Sequence, residues 1–152
     1  MIEIKTGEEL TLDNVLSYRG KLAQSDMDKV IMDMDAILNT KGVKRCGYPI
    51  MATYGVEGII LDVELIIPID GRIENADKYV FKEKIKIVNA AKLIYKGHPN
   101  GLQGACNELN KYIMENNLQP ITVGYNVTRK VDMLNIDDTE IDVYVGISPN
   151  IL

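Results

Sequence analysis

Tryptophan is absent from this chain of 152 residues, phenylalanine and histidine occur once each, and there are two cysteines. Cys46 and Cys106 form no C-x-x-C pair, and neither lies near His98 in the sequence, so zinc and redox-motif chemistry lack their ligand spacing. Both are expected to be buried, reduced thiols. A basic excess is missing as well. The net charge is -5 and the 17 basic residues are scattered rather than gathered in a stripe, which argues against a direct nucleic-acid surface. No apolar run approaches the roughly 18 residues that span a bilayer. The opening Met1-Ile2-Glu3-Ile4-Lys5 lacks the basic start, apolar core and small-residue cleavage site of a secretory signal. A cytoplasmic protein without membrane contact is therefore expected. There is also no nucleophile elbow, P-loop, metal triad or paired carboxylate and histidine. No catalytic residue, metal or cofactor is assigned on this basis, and binding ranks ahead of catalysis.

What the chain does have is an apolar fraction of 46%, a charged fraction of 26% and a mean hydropathy of -0.06, the values of an ordinary globular domain. Its length suits a single domain, 1–152, with a sizeable core. Within it one phrase occurs twice. Val15-Leu16-Ser17-Tyr18-Arg19-Gly20 and Leu93-Ile94-Tyr95-Lys96-Gly97 are both apolar runs closed by tyrosine, a base and glycine, and each leads into a helical pattern. The same offset carries Gly47-Tyr48 onto Gly124-Tyr125. A slightly larger one carries Asp62-Val63-Glu64-Leu65-Ile66-Ile67 onto Asp142-Val143-Tyr144-Val145-Gly146-Ile147. Three matches in one order read as a duplicated unit, with repeat one near 1–70 and repeat two near 79–150.

Periodicity places the elements. Ile2–Lys5 and Leu10–Tyr18 read as two short strands or one interrupted strand. Met27, Val30, Ile31, Met34, Ile37 and Leu38 recur at helical spacing, with Ser25 and Asp26 offering N-cap oxygens and Gly42 a left-handed stop. Strands are expected over 47–54 and 59–69, with Pro49 marking an edge or bulge. The second half follows with strands over 79–86 and 88–95. Leu102, Ala105, Cys106, Leu109, Tyr112 and Ile113 form its helix face, ended by Asn116-Asn117, and strands over 121–131 and 140–148 complete it. Each half is strand, helix, strand, strand. The fold class expected is α+β: a duplicated βαββ repeat with pseudo-twofold symmetry, an antiparallel sheet and two helices on one face.

Period two also sorts the faces. Val63, Leu65 and Ile67, like Ile141, Val143, Val145 and Ile147, should lie under the helices. The mixed sets containing Asp62 and Glu64, or Asp142 and Tyr144, then face away, where a sheet meets water or holds a ligand. Eight tyrosines against one phenylalanine suit stacking on a planar ligand with the hydroxyls left to find partners. Candidate ligand-binding residues are Glu64, Tyr144, Tyr48, Tyr54, Tyr125 and Arg129. The 80-residue offset makes Glu64 and Tyr144 repeat mates, with the groove centred between them and Arg129 close enough to satisfy Glu64 or to suit an anion. His98, at a strand-to-helix turn, reads as a capping or solvated residue.

Ile2-Glu3-Ile4-Lys5, Tyr95-Lys96-Gly97-His98-Pro99, Gly124-Tyr125 and Asp142-Val143-Tyr144-Val145 together resemble the GyrI-like small-molecule-binding domain. This is the effector-binding module of some AraC- and MerR-type multidrug regulators, and it belongs to a superfamily that also touches SOUL-type haem-binding proteins. The resemblance implies two βαββ repeats about a pseudo-twofold axis and a ligand groove opposite the helices. In such regulators an acid on the Gly-led strand of the second repeat often meets cationic aromatic drugs; here that strand, Gly124 to Lys130, has none. Both repeats use the whole chain, so a stand-alone member without its own DNA-binding domain is expected. It would sense or sequester a small amphipathic, aromatic molecule. The alternative is a protein-interaction partner working through a sheet edge or groove, and a hydrolase of this fold ranks third.

Overall fold

The structure, a computed structural model, describes residues 2–148. It is an α+β fold of two helices and six antiparallel strands: β1 Ile2–Ala23, α1 Met27–Lys41, β2 Ile50–Glu57, β3 Ile60–Pro68, β4 Tyr79–Lys96, α2 Leu102–Glu115, β5 Pro120–Lys130 and β6 Glu140–Ile147. The stretch expected as two strands or one interrupted strand is the continuous β1. It carries left-handed residues at Gly7 (φ 68) and Asn14 (φ 56). The two strands expected ahead of the second helix likewise merge into β4. Two compact units make up the chain, Thr11–Lys86 and Met1–Leu10 with Ile87–Leu152. Residues 149–152, of which 149 and 150 are the end of the second expected repeat, lie outside the described ones.

In the Thr11–Lys86 unit β3 lies between β1 and β2, with Leu65 opposite Tyr18 on one side and Met51 on the other. Leu16, Tyr18 and Leu22 of β1 and Val63, Leu65 and Ile67 of β3 pack with Val30, Met34 and Leu38 of α1. These are the faces that period two predicts. Each such Leu, Ile or Val taken from water stabilises the fold by about 1.5–3 kcal/mol. Gly42 closes α1 in the left-handed conformation (φ 73), as expected. The N-terminal end differs: Gln24–Asp26 forms a 3₁₀ turn that delivers the chain into the helix, and Asp26 makes no side-chain cap bond. The turn supplies the Gln24 carbonyl to the Met27 amide, so no side-chain oxygen is needed there.

In the other unit β6 is central, with Val143 opposite Leu93 of β4 and Asn126 of β5. Ala91, Leu93, Tyr95, Val143, Val145 and Ile147 pack with Ala105, Leu109 and Ile113 of α2. His98 caps the 3₁₀ turn Pro99–Gly101 ahead of α2, its Nδ1 accepting from the Asn100 amide at 3.0 Å.

The Tyr-base-Gly phrase has a steric cause. Residues i and i+2 of a strand share a face, and the tyrosine ring lies along the chain over the glycine. A Cβ on Gly20 would stand 2.5 Å from Tyr18 Oη, and one on Gly97 2.9 Å from Tyr95 Oη. Tyr95 then donates its hydroxyl proton to the His98 carbonyl, tying the strand end to the turn that starts α2. The base between them points to the opposite face.

One expectation fails on register. When Gly20 is matched to Gly97, Arg19 opposite Glu64 corresponds to Lys96 opposite Glu140, so Glu64 answers to Glu140 and not to Tyr144. The similar strings Asp-Val-Glu and Asp-Val-Tyr sit four residues out of step with the ladder. Four is even, so every side chain keeps its predicted face. A second expectation also fails: Cys46, expected buried, is exposed in the loop between α1 and β2, while Cys106 is half-buried on α2 and both are unpaired.

Gly97→Ala should destabilise the protein by about 1–3 kcal/mol in thermal or urea unfolding, since φ 155 disfavours a side chain and the Cβ meets the Tyr95 ring. Gly104→Ala, with open space at its helical position, should instead stabilise by ~0.5–1 kcal/mol. Equal losses in the two variants would refute the steric account. A thiol reagent should label Cys46 at once and Cys106 slowly, because burial pushes the Cys106 thiol pKa up.

Candidate functional site

Glu64 is 5% exposed, on the face of β3 away from α1. A carboxylate so far from water must be matched by donors, since an unpaired buried charge costs several kcal/mol. The neighbouring strands supply them. Ser17 of β1 donates to Glu64 Oε2 at 2.6 Å, Lys82 of β4 donates to the same oxygen at 2.7 Å, and the Tyr54 hydroxyl of β2 donates to Oε1 at 3.3 Å. Tyr54 reaches it because Ala52 is paired with Glu64 and Tyr54, two residues on, shares that side; the register slip between Thr53 and Gly55 makes Tyr54 the extra residue of a bulge. Burial works against the charge, but Lys82, Ser17 and Tyr54 outweigh it and hold the carboxyl below the ordinary glutamate range.

A second pair stands beside it. The Arg19 guanidinium takes both oxygens of Asp62 at 3.1 Å and lies 3.5 Å from the centre of the Tyr54 ring. The hydrogen bond from Arg19 holds the Asp62 carboxyl below its usual range. Tyr54 is thus gripped on its face by a cation and at its hydroxyl by an anion, which fixes the ring. Asp62 also borders a cavity of about 190 Å³ lined with Lys21, Val56 and Ile60.

The corresponding face of the other unit carries a different set. Tyr144 is 8% exposed and faces away from α2, with Tyr125 of β5 directly opposite it in the ladder. The Lys92 ammonium lies 5.3 Å from the Tyr144 ring centre and 3.7 Å from Asp142 Oδ2. Burial disfavours the Lys92 charge, but the Tyr144 hydroxyl and the Asp142 carboxylate overcome this and raise its pKa. Arg129 of β5 pairs with Asp142 at 2.9 Å and Glu140 at 3.5 Å. The partner expected for Arg129 was Glu64; the ladder instead sets it beside the acids of β6, its own neighbouring strand.

Of the six residues read from the sequence, Glu64 and Tyr54 meet in one cluster, and Tyr144, Tyr125 and Arg129 share a face in the other unit. Tyr48 lies in the loop ahead of β2, 43% exposed and outside strand pairing. Sequence reasoning missed Ser17, Arg19, Lys82, Lys92 and Asp142 as site residues. Ser17 had a signal, a lone hydroxyl at the polar parity of an apolar run. Lys82 had none beyond its place in an alternating series. Among the described residues no group of three or more His, Cys, Asp or Glu side chains is placed to hold a metal, and no helix is long and apolar enough to cross a membrane.

No family model matches the chain, and no curated protein matches it. Solved structures do. The EcmrR C-terminal domain aligns at TM-score 0.75 and 16% identity over 97% of both chains. EcmrR in the EcmrR–DNA complex aligns at TM-score 0.80 and 16% identity over 97% of this chain, which spans 57% of the length of that one. SAV2435 bound to tetraphenylphosphonium aligns at TM-score 0.56 and 8% identity, over 98% of this chain and 94% of that one. At these identities the likeness is one of fold: the chain has the α+β fold of the EcmrR C-terminal domain and of SAV2435.

Because its folded pKa is depressed, Glu64 contributes stability that is fully present above the unfolded value of about 4.3 and lost as pH falls through the lower folded value. Glu64→Gln should therefore cost about 1–3 kcal/mol near neutral pH and progressively less below about pH 4. Urea unfolding across that range checks this. A gap between wild type and variant that does not change with pH would contradict the ionised pairing.

Proposed function

We propose that this GyrI-like fold serves here as a small-molecule-binding domain, which senses or sequesters an amphipathic, aromatic ligand on sheet faces turned away from the helices. The observation that carries the reading is the buried carboxylate of Glu64 held beside the fixed ring of Tyr54. An acid and an aromatic face offer an organic cation both charge and stacking. Tyr144 and Tyr125, opposite each other in their own ladder, are proposed as a separate aromatic surface of the other unit with Arg129 beside it, and Tyr48 as a peripheral residue of the Glu64 unit. Tetraphenylphosphonium on SAV2435, a protein of the same fold, supports a lipophilic cation as the first probe. Internal duplication accounts for the recurring Tyr-base-Gly phrase and for ladders that match at an offset of 77 between β2 and β5 (Met51 opposite Leu65, Thr128 opposite Ile141). Nucleic acid is not a direct partner in this reading, because the basic residues are scattered and largely paired with acids. A cytoplasmic location goes with it.

A protein-interaction role is the second reading. Val56 and Ile59 near the β2–β3 turn, 67% and 79% exposed, favour it as an exposed apolar patch.

Titrating tetraphenylphosphonium into the protein by calorimetry or fluorescence quenching should give saturable binding. Glu64→Gln should weaken it about tenfold or more, the scale of one charge-assisted contact. Tyr54→Ala should weaken it several-fold. Binding that is unaffected by both substitutions but lost in Tyr144→Ala would place the ligand on the other unit. An absence of binding beside capture of a defined protein partner would favour the second reading.

A further inference from the structure

The charges around Tyr54 already cancel. Glu64 and Asp62 are answered by Lys82 and Arg19, so neither acid stands vacant for an incoming cation. The two pairs are not equally replaceable. Arg19 is committed by a two-pronged bond to Asp62 and by its seat on the Tyr54 ring. Lys82 makes a single bond to Glu64, and its side chain is 41% exposed while that of Glu64 is 6% exposed. The carboxylate is buried and held by the neutral donors Ser17, itself 3% exposed, and Tyr54. The ammonium sits on a long stem that reaches solvent.

Building on the ligand reading above, we propose that Lys82 is the specificity-determining residue of the Glu64 site: it occupies the ligand's charge position, and a cation binds by displacing the Lys82 ammonium from Glu64 Oε2. No bond is made or broken. One cation replaces another on a carboxylate that stays ionised throughout, with Ser17 and Tyr54 holding it in place.

The exchange selects a ligand class. An ammonium is compact and strongly hydrated, so Lys82 recovers hydration when its stem swings outward. A small hydrophilic cation must lose as much hydration as Lys82 regains and gains little. A large, charge-delocalised aromatic cation loses less and adds contact with the part of Tyr54 that Arg19 leaves exposed. Lys82 thus sets a threshold that weakly hydrated organic cations cross and small ammonium ions do not. It also protects the buried acid when no ligand is bound.

The test compares tetraphenylphosphonium and methylammonium on wild type, Lys82→Gln, Lys82→Arg and Ser17→Ala. Lys82→Gln should tighten tetraphenylphosphonium binding by roughly tenfold and bring methylammonium into the measurable range. Lys82→Arg, which keeps a cation on Glu64, should not tighten either one. Ser17→Ala, which loosens Glu64 without removing the competitor, should weaken binding. Should Lys82→Gln fail to fold, the wild type answers by itself. The ¹⁵N-labelled Lys82 ammonium resonance, slow to exchange while paired, should broaden into solvent exchange as tetraphenylphosphonium saturates the site. Tetraphenylphosphonium binding that depends on Glu64 but leaves the Lys82 resonance undisturbed, or is not tightened by Lys82→Gln, would overturn the displacement while keeping the ligand reading. No binding by wild type or by Lys82→Gln would overturn the ligand reading itself and the displacement with it. Binding by Lys82→Gln alone supports both.

Discussion

A carboxylate removed from water has to be given donors by the structure that removed it, and Glu64 is where this chain meets that demand. The acid sits on the central strand of its unit, so three other strands must be in register for Ser17, Tyr54 and Lys82 to reach it. The register of β2 is part of the same requirement: Ala52 is paired with Glu64, which sets Tyr54, two residues on, on the same face. Apolar burial under α1 excludes a one-residue slip, which would turn Val63, Leu65 and Ile67 to the other face. The charged cluster adds its own demand, because each misplaced donor leaves a buried acceptor unmatched.

The opposite face obeys a simpler rule. Tyr18 and Tyr95 each need a glycine two residues on, because each ring lies over that position. The intervening base is freed for the polar face, where Arg19 engages Asp62 and Tyr54. One three-residue phrase therefore serves both sides of the sheet, closing the core with its first and third residues and furnishing charge with its second.

The two polar faces diverge in chemistry. In the Thr11–Lys86 unit a buried acid, a clamped tyrosine and a replaceable lysine make an arrangement suited to exchange of cations. In the other unit Asp142 is shared by Lys92 and Arg129, and among the described residues its Oδ1 finds no well-directed hydrogen bond although Arg129 stands 2.9 Å away. Tyr144 and Tyr125 there offer aromatic surface with basic groups close by. Both sets are buried, Glu64 and Tyr144 at 5% and 8% exposure, so each depends on partners from its own neighbouring strands.

What the sequence determined by itself is local. Helical spacing marked both helix faces, period two separated Val63, Leu65 and Ile67 from Asp62 and Glu64, and Gly42 marked a helix end, because each signal depends on the near neighbours of a residue. Even the mistaken mate for Glu64 fell on the correct face, the error being an even number of residues. Only the tertiary structure decided which side chains meet: that Lys82 answers Glu64, that Arg129 goes to Asp142 and Glu140, that Tyr48 stands apart, and that Cys46 is exposed. These are pairings across strands, set by ladder register and bulges that the hydrogen bonding of the assembled sheet selects, and no period along the chain encodes them.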